Sequence, residues 1–243
     1  MKQYLVPLLS VGVLGAGYLV LQETRSGPST TTFEFAATAD TAPFSFDEFA
    51  YQNPKGDQNF RFRDVRFYVS NIEIAYKDQV YSPADSYHLI QYDANTPVSS
   101  ISIADIPMKK IDRVTLSIGL DETANSSIEP RGDLDPNSRM AWNWNIGYKF
   151  LLAEGNIDLN GTLAPLVYHV GFSENRREID FEFAEPIKLS SDVPIAFDVD
   201  ILKLFNGTSQ IDMATLQTVK MDKTDAALLA DNYAQMISLK SAE

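Results

Sequence analysis

From Phe33 onward the apolar residues of this chain recur at every second position, in pairs such as Phe33/Phe35, Phe60/Phe62, Phe67/Val69 and Ile72/Ile74. A strand sends successive side chains to opposite faces, so a period of two makes half-buried strands rather than helices. The pattern returns over Ser86–Tyr92, Arg113–Leu120, Met140–Leu152, Leu166–Phe172, Glu178–Phe183 and Pro194–Phe205, with Asn, Gly, Pro and Asp clusters between the runs. About eight strands of this kind predict an all-β fold, an antiparallel β-sandwich. Within the longest run, Met140, Trp142, Trp144, Ile146, Tyr148, Phe150 and Leu152 share one parity, which reads as a single long strand crossing the core. One short helix is expected at the C-terminus, capped by Asp222 or Thr224 and carrying Ala227, Leu228, Leu229, Ala230 and Tyr233 toward Met236 and Ile237.

The chain opens differently. Lys2 precedes an uncharged run from Tyr4 to Leu21, the pattern of an export signal or a membrane anchor, with Gly15-Ala16-Gly17 as a weak cleavage site. Either outcome places the folded part outside the cytoplasm, in the periplasm or at the cell surface. The expected organisation is therefore a signal peptide or membrane anchor over 1–25, a Ser/Thr/Gly/Pro-rich tether over 26–32, and one β-sandwich domain over 33–243. No internal repeat or composition break divides that domain. Its 33 acidic against 20 basic residues, a net charge of −13, oppose nucleic-acid binding and favour cations, basic partners or plain solubility. The absence of cysteine excludes disulfides, thiolate metal sites and thiol nucleophiles.

Two blocks carry a resemblance. Asp64-Val-Arg-Phe-Tyr-Val-Ser-Asn71 followed by Ile72-Glu-Ile is one; Ile118-Gly-Leu-Asp121, Asn125, Gly132-Asp-Leu-Asp-Pro136, Met140-Ala-Trp-Asn-Trp144 and Gly147-Tyr-Lys-Phe150 form the other. With Tyr168-His-Val-Gly171 and the Asp225…Asn232…Met236 region, they resemble the methanobactin-associated copper-binding proteins, the MbnP-like domain family, over roughly Phe33 to Leu239. The resemblance implies an extracytoplasmic β-sandwich holding one copper ion with two histidines and a kynurenine made from tryptophan. It also implies a diheme peroxidase-like partner that performs the oxidation. Where those family members carry Leu-Asn-His, this chain has Glu122-Thr-Ala-Asn125.

The candidate metal ligands are His88 and His169, the whole imidazole inventory, with Met140 or Met108 as a thioether donor. The competing reading of each histidine is a half-buried strand residue satisfied by a hydrogen bond. Trp142 and Trp144 are the candidate oxidation targets that the resemblance implies, against the plainer reading as core. Asp133 and Asp135, with Asp121 and Glu122 nearby, could suit a hard cation such as Ca²⁺, but Gly132 and Pro136 equally fit a turn whose Asp side chains bond their own backbone. Asp198 and Asp200 share the outer face of their strand. Arg61, Arg63, Arg66, Arg176 and Arg177 read as ion pairs or strand-edge protection. No nucleophile elbow, phosphate-cradling loop or His-Glu-x-x-His helix occurs, so no enzyme motif is present. The expected function is copper sequestration or delivery; the alternative is a metal-free interaction module that keeps the scaffold without the site.

Overall fold

The computed structural model describes residues 27–240 apart from 128, 144 and 145, so the N-terminal run and Trp144 lie outside the described residues. In chain order the strands are β1 (Ser29–Ala39), β2 (Ala42–Pro43), β3 (Tyr51–Gln52), β4 (Asn59–Tyr76), β5 (Gln79–Tyr81), β6 (Tyr87–Tyr92), β7 (Val98–Ile106) and β8 (Lys110–Ile118). A one-turn helix, α1 (Glu122–Asn125), precedes β9 (Ala141–Asn143), β10 (Gly147–Leu159), β11 (Thr162–Gly171), β12 (Arg177–Lys188) and β13 (Ile195–Asp200). The chain closes with β14 (Thr218–Val219), α2 (Lys223–Tyr233) and β15 (Ile237–Leu239).

Two sheets face each other. The smaller runs β15-β13-β1-β2, with β7 also on β1; the larger runs β12-β8-β4-β10-β11-β14, with β3, β5 and β6 on β4 and β9 on β10. Rings from both sheets meet between them: Phe197 of the smaller sheet stacks on Phe35 at 4.9 Å and meets Phe181 of the larger edge-on at 5.0 Å. A second, smaller core of Tyr68, Leu120, Ala124, Leu134, Met140, Tyr148, Phe150 and Leu152 lies apart from the first. It covers the other face of the larger sheet, because Tyr68 and Leu152 have the opposite parity to Phe67 and Leu151 of the main core. Among the described residues both cores draw on positions between Phe33 and Ile237.

Strand β4 organises the fold. Its main-core residues run Phe60, Phe62, then Val65, Phe67, Val69, then Ile72, Ile74, so the alternation slips a residue twice. The ladders slip at the same places, between Glu154 and Gly155 on β10 and between Ser70 and Glu73 toward β8. These are β-bulges. Asn71 holds the second one at φ +51, a left-handed conformation that asparagine tolerates.

Several expectations need correction. Met140–Leu152 is not one strand: β9 and β10 pair antiparallel across a turn at Ile146-Gly147, with Gly147 at φ +89. A Cβ there would lie 2.4 Å from the Asn125 carbonyl oxygen, so only glycine fits. Strand β1 already starts at Ser29, inside the stretch expected as a tether, because β7 supplies a partner from Ile106 onward. Pro194–Phe205 is a strand only over Ile195–Asp200 and then a 3-10 turn over Ile201–Leu204, whose first amide Asp200 caps through Leu202 N at 3.0 Å. Helix α2 is capped by Asp222, as expected, but ends before Met236 and Ile237, and the latter opens β15. The sandwich is not purely antiparallel, since β1 runs parallel to β13 and β11 parallel to β14. Among the described residues no helix is long and apolar enough to cross a membrane.

Candidate functional site

The two histidines belong to the same sheet but not to the same face. His88 on β6 stands opposite Val69 of β4. His169 on β11 stands opposite Leu152 of β10, which in turn stands opposite Arg66 of β4. Residues directly opposite in a ladder share a face, and β4 is unbroken between Arg66 and Val69, an odd spacing. His88 therefore lies on the main-core face with Ile90 and Tyr92, and His169 on the reverse face with Leu152. The candidate thioethers divide the same way, Met108 in the main core and Met140 in the smaller one.

Each imidazole is held separately. The His88 ring nitrogen Nε2 is 3.3 Å from Ser86 Oγ, which itself accepts the Ile72 amide. Burial pulls the His88 pKa below its ordinary value, with Asp133 opposing weakly. His169 Nε2 lies 2.9 Å from Glu154 Oε1. An ionised carboxylate only accepts, so Nε2 carries the proton and Nδ1 keeps the one free lone pair. The His169 pKa is also lowered, chiefly by burial, although the bond to Glu154 works against it.

From Glu154 a chain of charges continues outward. Arg139 donates to Glu154 Oε2 at 2.6 Å and to Asp64 Oδ2 at 2.5 Å, and Arg66 Nε donates to Asp64 Oδ1 at 2.7 Å. Burial alone would raise the Glu154 carboxyl; the bonds from His169 and Arg139 outweigh it and hold it low. Lys149, buried beside them, spends its ammonium on the Arg139 and Ala141 carbonyls. Burial pulls its pKa down. Arg63 completes the rim of a cleft of about 300 Å³ over Asp64, Arg139 and Glu154. Sequence reading missed this network, whose members lie 15 and 75 positions apart.

Trp142 packs beside it. A Cβ on Gly171 would lie 2.5 Å from Trp142 Cζ3, so the indole sits on the bare backbone two residues past His169, on the same face. Its ring centroid is 5.3 Å from that of Phe172, and Lys223 Nζ lies 4.9 Å above Phe172 while bonding Glu174 at 2.7 Å. Trp142 and Phe172 are both half-buried, so neither is plain core. Phe172 has φ +70, a strained position for an aromatic residue.

The remaining candidates are occupied by structural bonds. Asp121 caps α1 through Ala124 N at 3.0 Å and accepts Tyr87 Oη at 2.8 Å; Asp133 accepts Leu89 N and Asp135 accepts Asn137 N, each at 2.8 Å. Arg176 pairs with Glu178 and Arg177 with Asp231, while Arg61 donates to the Asp47 carbonyl. Asp198 faces outward, as expected. Among the described residues no group of three or more His, Asp or Glu is placed to hold a metal ion.

A family model for MbnP matches residues 28–222. The chain belongs to the MbnP family. A solved structure, MbnP from Methylosinus trichosporium, superposes with a TM-score of 0.59 at 16% identity, covering 90% of this chain and 100% of that one. At that identity the likeness speaks for the fold. No curated protein matches by sequence.

The MbnP resemblance implied a copper ion between two histidines, and the residues present do not fit that centre. One ion at about 2.0 Å from each nitrogen needs imidazoles within about 4 Å of each other on one side of the backbone. Here a β-sheet lies between them.

Proposed function

We propose that this protein is an extracytoplasmic binding protein that keeps the MbnP scaffold and works as a protein-interaction module without a two-histidine copper centre. The carrying observation is the placement of His88 and His169 on opposite faces of the larger sheet. The Tyr4–Leu21 run supports the location, and the lack of any catalytic motif supports binding over catalysis. The half-buried Trp142–Phe172 pair, edged by the Lys223–Glu174 ion pair, has the composition of an interface anchor: aromatic centre, charged rim, strained backbone. A diheme peroxidase-like enzyme is one partner that this corner would suit, with Trp142 as the ring presented.

Competition for Cu(I) against a calibrated chelator tests the proposal, using protein from about Ser26 onward beside His88→Ala and His169→Ala. The chelator is expected to keep the metal, with all three proteins indistinguishable. Tight one-to-one binding lost in both variants would overturn it. A copper reading retains one observation of its own, the common face of His169 and Trp142. Binding lost in His169→Ala alone would favour that reading.

A further inference from the structure

Among the described residues the sandwich stands open at one end. Between β13 and β15 of the smaller sheet and the last residues of β12 lies a cleft of about 460 Å³, inside the range of small-molecule sites. A slip in the β12–β8 ladder between Glu182 and Ile187 opens its wall. The lining is largely apolar, from Phe183, Ile187, Val193 and Leu239, and Val193 is 68% exposed. One feature is not that of an ordinary gap in a core. Lys188 and Lys240, both exposed, stand at the mouth, and Lys110 lies opposite Lys188 in the ladder.

We infer that this cleft binds an amphiphilic carboxylate, an alkyl chain ending in an acid group. The apolar walls match the alkyl chain, and burying methylenes there removes hydrocarbon from water on both partners. The lysines attract the acid in a chain whose net charge of −13 otherwise repels anions. The site lies away from His169, Trp142 and the charge network, so it stands or falls independently of the proposed function.

Calorimetric titration of the full chain with decanoate tests this. One-to-one binding is expected, with decanol and acetate each at least tenfold weaker. Lys188→Ala with Lys240→Ala should weaken decanoate about tenfold at unchanged melting temperature; Val193→Asp should abolish binding. No decanoate binding, equal binding of decanol, or indifference to the lysine pair would overturn the inference. In the full chain, an alkyl-diazirine carboxylate should label the segment from Ile187 to Ile195, and labelling elsewhere alone would overturn it too.

Discussion

Replacing Gly155 by alanine is expected to cost about 3 kcal/mol or more of unfolding free energy, enough to leave much of the protein unfolded. A Cβ at this position would sit 1.9 Å from the Arg61 carbonyl oxygen and 2.9 Å from Phe62 Cα. Both obstacles are backbone, in the strand that pairs with β3, β5, β6, β8 and β10, so no side chain can rotate away. The glycine lies where the β10–β4 register slips, and its bare Cα lets the two strands close over the bulge. Gly161→Ala is the control. Gly161 sits in the Asn160-Gly161 turn of the β10–β11 hairpin at φ +88 with nothing within 4 Å of a built Cβ, so only backbone strain of about 1 kcal/mol is expected. Urea unfolding of the two variants against wild type measures the difference; equal midpoints would mean that β4 and β10 do not approach as described.

Asn232→Ala should cost on the order of 3 kcal/mol, because it orphans several backbone groups at once. Asn232 is fully buried on α2 and stitches the helix to the segment after the 3-10 turn. Its Nδ2 donates to the Leu204 carbonyl at 3.0 Å and to the Ser209 carbonyl at 2.8 Å, and its Oδ1 accepts the Ser209 amide at 2.9 Å. Asn232→Asp should be no better, since it keeps the acceptor but sets a carboxylate against two carbonyl oxygens. Asp231→Ala, next in the helix, removes only an exposed partner of Arg177 and should stay within about 0.5 kcal/mol of wild type. Denaturant unfolding again reads the effect, and an Asn232→Ala midpoint matching that of Asp231→Ala would refute the stitching role.

Much of the architecture was legible in the alternation. The phases of Phe33/Phe35 and Phe60/Phe62 are those of two facing sheets, and the cap at Asp222 marks the start of α2. What local pattern could not give was partner choice. The Ser/Thr/Pro stretch before Phe33 reads as linker by composition, yet Ser29 to Thr32 extend a strand because β7 offers them a ladder. Met140, Tyr148, Phe150 and Leu152 keep one parity across the β9–β10 hairpin, so alternation alone does not reveal where the chain reverses; Gly147 was the available signal. At the site, parity held part of the answer. His88 shares it with Ile90 and Tyr92, whereas His169 opposes Leu166, Tyr168 and Val170, all main-core residues. That contrast separates the imidazoles only once both strands are known to lie in one sheet. The ties among Asp64, Arg139, Glu154 and His169 depend on long-range pairing of β4, β10 and β11 and left no local trace.

The central claim is that a sheet separates the two imidazoles, and the most direct test is a Cu(I) titration followed by the ring-nitrogen NMR signals of both histidines. The account predicts that the signals never respond together: His88 stays fixed in its pocket beside Ser86, whatever happens at the solvent side of His169. Joint shifts of both rings, complete at one equivalent of copper, would contradict it.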